Sequence, residues 1–241
     1  MTLEAFIVKQ ALLPAHDREA MLALHSRYYS NVRREQFLAD LAEKDWVIAL
    51  RNDGHLAGFS TQMVIHLNCS GRYCHFLFSG DTIVEPTCWR EQSLAGSFGH
   101  LMMRLMQELG EAATYWFLIS KGYRTYRFLP VFFRRFIPGP GQADRPELEV
   151  LLRAVATAKY GALFDPGCGL IRPGNRGNWL RPEMGGVPEG RRNDPYVDFF
   201  LQRNPDYHRG TELACLAEIR RDNLNRHALR VIERTCPTWI E

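Results

Sequence analysis

The chain lacks most of the patterns that announce common chemistries. Its six cysteines, Cys69, Cys74, Cys88, Cys168, Cys215 and Cys236, contain no C-x-x-C pair, which argues against a zinc site built from them. A chain of 241 residues buries a full core without a disulfide framework, so the thiols read as free in a reduced, cytoplasmic protein. The eight histidines never fall into H-x-x-x-H or H-E-x-x-H, and no metal is expected. No apolar run approaches the roughly 20 residues that span a bilayer. The first residues, Met-Thr-Leu-Glu-Ala-Phe-Ile-Val-Lys, lack the basic-then-apolar order of a secretion signal. The formal charge of +3 comes with no long basic run, so nothing points to nucleic acid. Internal repeats are absent as well.

What is present is the composition of an ordinary globule, 46% hydrophobic and 24% charged, which excludes wholesale disorder. Helical spacing predicts helices over 14–29 and 31–44, the second with Asn31 as N-cap. Residues 46–50 and 56–67 read as strands joined by Asn52-Asp53-Gly54, residue types that tolerate the positive φ of a tight turn. A third strand over 73–84 completes an antiparallel meander. Leu94, Phe98, Leu101, Met102, Leu105 and Leu109 then line one helix face, with Gly110 as its stop. The apolar run 114–119 reads as a strand buried on both faces, parallel to the third.

Beyond residue 120 the pattern changes. Lys121, Arg124, Arg127, Arg134 and Arg135 interleave with aromatics, and Pro130 must break or kink any helix there. The cations suit either a solvated face or a surface that steers an anionic carrier. The aromatics suit either a core or a channel for an acyl chain. Helices over 146–160, 195–202 and 222–236 and a strand over 212–219 follow. Residues 165–192, dense in Gly and Pro, read as a lid, an acceptor-binding loop or a disordered insert. Gly96 and Gly99 are expected to let their helix approach the sheet closely.

The strongest local signal is the strand–loop–helix passage from Ile83 to Met103. The first N–H groups of a helix lack intrahelical partners, and with the positive end of the dipole they make a site for phosphate. This passage resembles the acyl-donor loop of the GNAT acyltransferase superfamily, Q/R-x-x-G-x-G/A after a strand ending Val-x-Pro. Here Val84-Glu-Pro86 ends the strand and Arg90-Glu-Gln-Ser-Leu-Ala95 occupies the loop, with one extra residue between the two. Ser93 stands where the family has its first glycine, and a left-handed backbone there would cost roughly 1–2 kcal/mol. The resemblance covers roughly residues 45–138.

The resemblance implies an α/β (α+β) fold with a mixed, mostly antiparallel central sheet flanked by helices. Residues 1–138 would form the acyl-donor-binding core, and 139–241 a C-terminal helical and loop extension packed on the same sheet. It implies a pantetheine thioester donor, acyl-CoA or acyl-acyl carrier protein, and a small-molecule or peptide amine acceptor. Val84, Arg90, Ser93, Leu94, Ala95 and Ser120 would bind the donor. Asp81, Glu85 and His75 are candidate bases, sharing one strand face if no bulge intervenes. Tyr126, with Tyr123 as neighbour, would protonate the thiolate; if Phe133 holds the tyrosine's place, water would do so. The aromatics and the extension favour a medium or long acyl chain over acetyl. Two other readings stay open: a noncatalytic GNAT-fold ligand-sensing or interaction module, and a carrier-protein-dependent signal synthase.

Overall fold

The computed structural model describes residues 3–69, 71–89, 91–110, 113–141, 145–174 and 177–241. Along the chain run β1 (Leu3–Lys9), α1 (Ala15–Tyr28), β2 (Tyr29–Ser30), α2 (Arg34–Ala42), β3 (Trp46–Asn52), β4 (His55–Cys69) and β5 (Arg72–Val84). Then come α3 (Ser93–Leu109), β6 (Thr114–Ser120), α4 (Tyr123–Tyr126), α5 (Phe128–Phe132), α6 (Pro146–Tyr160), β7 (Phe164–Asp165) and β8 (Leu170–Ile171). The last elements are β9 (Trp179–Leu180), α7 (Pro182–Gly185), α8 (Pro195–Arg203), β10 (Glu212–Glu218), α9 (Arg226–Arg234) and β11 (Thr238–Ile240).

Nine of these strands form one sheet, ordered β11-β1-β3-β4-β5-β6-β10-β8-β7. Only β1–β11 and β5–β6 pair in parallel, so this is a mixed, mostly antiparallel sheet flanked by helices. The β3–β4 turn forms as expected, with Asp53 at φ 49 and Gly54 at φ 81. The extension beyond residue 138 joins the same sheet, since β10 pairs with β6 and β11 with β1.

Strand alternation sorts the core into two layers. Ile48, Leu50, Leu77, Trp116, Leu118 and Cys215 bury against α3, α5 and α9. Their neighbours in sequence turn the other way. Phe76, Phe78, Phe117 and Leu216 pack against α6, and Val47 and Ala49 pack against α1 and α2. The central strand β6 is thus buried on both faces.

Several expectations change. Asn31 does not cap α2. It sits at φ 59 and donates through Nδ2 to the Gly177 carbonyl at 2.7 Å, using the left-handed backbone that Asn tolerates. The expected helix over 222–236 is shorter, because the Asn225 side chain accepts from Ala228 N–H and caps α9 there. Gly96 and Gly99 admit the α9 segment rather than the sheet. A Cβ on Gly96 would fall 2.5 Å from Thr235 Cβ, and one on Gly99 2.7 Å from Ile232 Cδ1. Pro130 lies in the first turn of α5, where no N–H is required, and the chain breaks just before it, between α4 and α5.

Candidate active site

The site begins where β5 and β6 part. Their parallel pairing runs from His75↔Thr114 to Ser79↔Leu118 and stops. Beyond it, Thr82, Ile83 and Val84 pair only with β4, and Ile119 and Ser120 only with β10. A bulge enforces the parting. Thr82 faces Ser60 and Ser79 faces Gln62, so Gly80 and Asp81 together oppose Thr61. Glycine suits the first of these places, since a Cβ there would lie 2.6 Å from Thr61 Oγ1.

The bulge also overturns the shared face expected for His75, Asp81 and Glu85. His75 keeps the alternation of Leu77, on the α3 side. After the bulge, Asp81 and Glu85 turn towards α1, meeting His25 and Arg27. Glu85 is held by Arg27 at 2.6 Å, whereas Asp81 opens into a cavity.

Two cavities flank the gap. The one on the α3 side is apolar and small, about 50 Å³, walled by Leu94, Phe98, Met102, Trp116, Phe132 and the α9 residue Ala228. The one on the α1 side is about 480 Å³ and holds His25, Tyr29, Asp40, Asp81, Lys121 and Glu212. Thr82 and Thr125 line both, so these two residues stand between the cavities where the strands diverge.

On the α3 side, polar groups form a chain. Trp116 Nε1–H donates to Ser79 Oγ at 2.9 Å, and Ser79 donates to Gln62 Oε1 at 2.7 Å. Gln62 Nε2 then donates to Ser60 Oγ at 2.7 Å, and Ser60 lies 2.7 Å from Thr82 Oγ1. Indole N–H can only donate, so Ser79 Oγ accepts from it, while in the last link either hydroxyl can be the donor. The Thr82 hydroxyl at the end also donates to the Gly80 carbonyl, a long bond of 3.3 Å.

Ser93 opens α3 with no positive φ, so the loop avoids the left-handed backbone that serine would have made costly. No described side chain caps this end, and among the described residues the helix ladder starts with Gly96 N–H donating to the Gln92 carbonyl. Among the described residues the amides of Ser93, Leu94 and Ala95, in the first turn of the helix, have no acceptor, and Leu94 and Ala95 line the apolar cavity. Arg90 lies outside the described residues. Val84 spends its carbonyl on Trp89 Nε1–H at 2.8 Å. Ser120 is fully buried and lines neither cavity.

Tyr126 departs most from expectation. It is fully buried among Phe136, Phe199 and Phe200, and its hydroxyl donates to the Pro138 carbonyl at 2.8 Å. Burial pushes its acidity far down, so it is no proton donor to the gap. Tyr123 is likewise buried. Phe133 stacks on Trp116 beside the apolar cavity, so the aromatics serve both as core and as cavity wall.

The basic stretch is largely neutralised by acids from the second half of the chain. Lys121 pairs with Glu212 at 3.4 Å, Arg127 with Asp194 at 3.2 Å and Arg135 with Asp222 at 3.1 Å. Arg124 stacks on Trp89 at 4.3 Å. Residues 165–192 wall the α1-side cavity through Ile171, Pro173, Gly177 and Asn178. The β2–β9 pair and a bond from Lys121 Nζ to Asn178 Oδ1 hold that wall in place.

Sequence reasoning missed His25, Tyr29, Thr82 and Glu212. Burial raises the Glu212 carboxyl above the usual range, with Lys121 opposing. It raises the Tyr29 phenol as well. One signal was available: His25 shares the inward i, i+3, i+4 spacing of Met21 and Leu24 on α1.

Among the described residues no cluster of three or more metal-ligating side chains occurs, and no helix is long and apolar enough to cross a membrane.

No protein-family model and no curated protein matches the sequence. Among solved structures, part of the chain is similar to a conserved protein of unknown function from Enterococcus faecalis V583, a probable N-acyltransferase. The two are 14% identical over 56% of this chain and 33% of that one, with a TM-score of 0.44. This chain therefore spans a third of that protein's length. It is also similar to an acyl-CoA N-acyltransferase from Pseudomonas aeruginosa, at 16% identity over 50% of this chain and 80% of that one, TM-score 0.36. A GNAT family N-acetyltransferase from Escherichia coli in complex with CoA is 17% identical over 53% of this chain and 69% of that one, TM-score 0.37.

Proposed function

We propose that this protein is an N-acyltransferase of the GNAT type, moving an acyl group from a pantetheine thioester to an amine. The observation that carries the reading is that two unlike cavities share Thr82 and Thr125 as wall. An acyl transferase must bring an apolar donor and a polar acceptor to one atom from opposite directions.

The donor enters on the α3 side. Its diphosphate sits on the first-turn amides of Ser93, Leu94 and Ala95, where the dipole of α3 favours negative charge. Trp89, exposed on the preceding loop and stacked with Arg124, offers a nucleotide an aromatic face. Acyl-CoA is therefore preferred over acyl carrier protein. Phe98, Met102, Trp116 and Phe132 favour an aliphatic acyl chain over acetyl, and because about 50 Å³ holds only its first carbons, a medium or long chain must displace part of this wall.

The amine, a small molecule or the end of a peptide, enters by the α1-side cavity and attacks the thioester carbonyl carbon. A C–N bond forms, the C–S bond breaks, and the thiolate takes up a proton lost by nitrogen. Asp81 receives the amine. The Thr82 hydroxyl donates a hydrogen bond to the oxygen on which negative charge develops, the usual largest single contribution to acyl transfer. The cytoplasm suits its free thiols.

The reading is tested by release of free thiol from acyl-CoAs of graded chain length with a panel of amines. Turnover that improves from acetyl to octanoyl supports it. The buried Tyr126 favours one competing reading, a ligand-sensing module. Saturable binding of every acyl-CoA without thiol release from any would establish that instead.

A further inference from the structure

Resting on the acyl-transfer reading, we propose that His25 and Asp81 form a proton relay that makes the site selective for alkylammonium acceptors, with His25 holding the proton during transfer.

His25 is 1% exposed, yet neither Nδ1 nor Nε2 has a hydrogen-bond partner in the protein. Buried polar atoms are nearly always paired, and an exception calls for an explanation. The ring is not loosely placed. Tyr29 meets it edge-on at 4.5 Å and Phe37 packs on it at 5.3 Å. Nε2 lies 3.8 Å from Asp81 Oδ1, too far for a hydrogen bond and near enough for one to form once a guest draws the carboxylate in.

Asp81 is the other unspent group. Asp40 is held by Lys44 at 2.7 Å, Glu212 by Lys121 at 3.4 Å and Glu85 by Arg27 at 2.6 Å. Among the described residues Asp81 has no cation against it, although it lines the cavity. Arg33 also lines the cavity, yet among the described residues it forms no ion pair with Asp81, and a carboxylate with no cation against it is complementary to an incoming ammonium.

The chemistry requires such a pair. An alkylamine resembles the lysine side chain, and at neutral pH only about one molecule in a few thousand is the free base. An aromatic amine is already neutral. The groups facing His25 are Asp81 on β5, Asp40 on α2 and Lys121 after β6, with Tyr29 on β2 against the ring. Burial lowers the basicity of the imidazole and Asp81 partly restores it, so the ring rests neutral and able to accept. The same burial weakens the ammonium's hold on its proton. One proton passes from the ammonium through Asp81 to His25 Nε2. The freed nitrogen bonds to the carbonyl carbon, its second proton goes to the departing thiolate, and His25 returns its own to solvent.

The test compares thiol release from octanoyl-CoA with benzylamine and with aniline, amines of similar size. His25→Gln should lower turnover with benzylamine by about 100-fold and with aniline by less than about threefold. The aniline rate also reports that the variant folds. Equal losses with both amines, or none with either, would overturn the relay while leaving acyl transfer intact. No thiol from wild type with any amine would remove both. Independently, the ring nitrogen resonances of His25 near neutral pH should change from imidazole to imidazolium when benzylamine saturates the protein. A ring that stays neutral also overturns the relay.

Discussion

The two faces of the sheet obey different rules at the point where β5 and β6 part. On the α3 face the polar side chains from Trp116 to Thr82 are spent on one another, and the cavity beside them is walled mainly by aromatic and aliphatic groups. On the α1 face charges are drawn inside, Asp40 and Glu212 in matched pairs, while Asp81 and His25 face each other without a hydrogen bond. A wholly paired polar network is rigid and orients its last member. Unpaired groups cost stability and are tolerated where they act on something else. The contrast is between an apolar face whose polar groups satisfy one another and a polar face that keeps a carboxylate and an imidazole without hydrogen bonds among the described residues.

The sharpest way to break this contrast is at the two carboxylates of β5. Asp81→Asn should lower turnover by about 100-fold or more, while Glu85→Gln, which frees only Arg27, should change it by less than about threefold. A reversed order in steady-state rates would move the proton chemistry out of the cavity. On the other face, Thr82→Val keeps the shape and removes the hydroxyl. Turnover should fall by about tenfold or more. Chemical denaturation should register about 0.5–1.5 kcal/mol lost as Ser60 gives up its hydroxyl partner. Loss of stability without loss of rate would reduce the chain to packing.

A subtler substitution sharpens the division. Ala228→Leu projects from α9 into the apolar cavity. It should depress octanoyl transfer by about tenfold relative to acetyl transfer, since lengthening a side chain there removes room the acyl chain needs. The acceptor KM should not move. If both acyl donors suffer alike, α9 is only a prop for α3.

Much of the frame was legible because periodicity reports burial. The spacing of Leu94, Leu101, Met102 and Leu105 delivered α3, and the unbroken run of β6 delivered a strand buried on both sides. The turn at Asn52-Asp53-Gly54 followed from residue type alone. The bulge at Gly80-Asp81 was not legible, because an extra residue in one strand is defined only by its partner, and it reversed the facing of Asp81 relative to His75. Two-residue strands such as β2 and β9 are too short to show a period. Tyr126 misled because an aromatic reads the same in a core as at a site; what decided was a carbonyl of Pro138, twelve residues away. The charge balance of Lys121, Arg127 and Arg135 depended on acids far along the chain. His25 carried a signal of burial and none of purpose.

The smallest expected effect tests how far the α1-side wall matters to the acceptor. Lys159, near the end of α6, reaches Glu43 at the end of α2 at 2.6 Å, tying together two helices that border the α1-side cavity. The hydrogen bond from Lys159 is the main reason the Glu43 carboxyl titrates below its usual range, with burial opposing. A depressed carboxyl contributes stability above its unfolded pKa and loses it as pH falls through the folded value. The pair should therefore count at neutral pH and vanish in strong acid. Glu43 is 57% exposed, so solvent screening limits Glu43→Gln to about 0.2–1 kcal/mol, and added salt should erase most of it. The informative readout is kinetic. A KM for the amine that rises about twofold while the KM for acyl-CoA holds would extend the division between the faces to their outer walls. If the acyl-CoA value moves as well, the two cavities share more structure than Thr82 and Thr125.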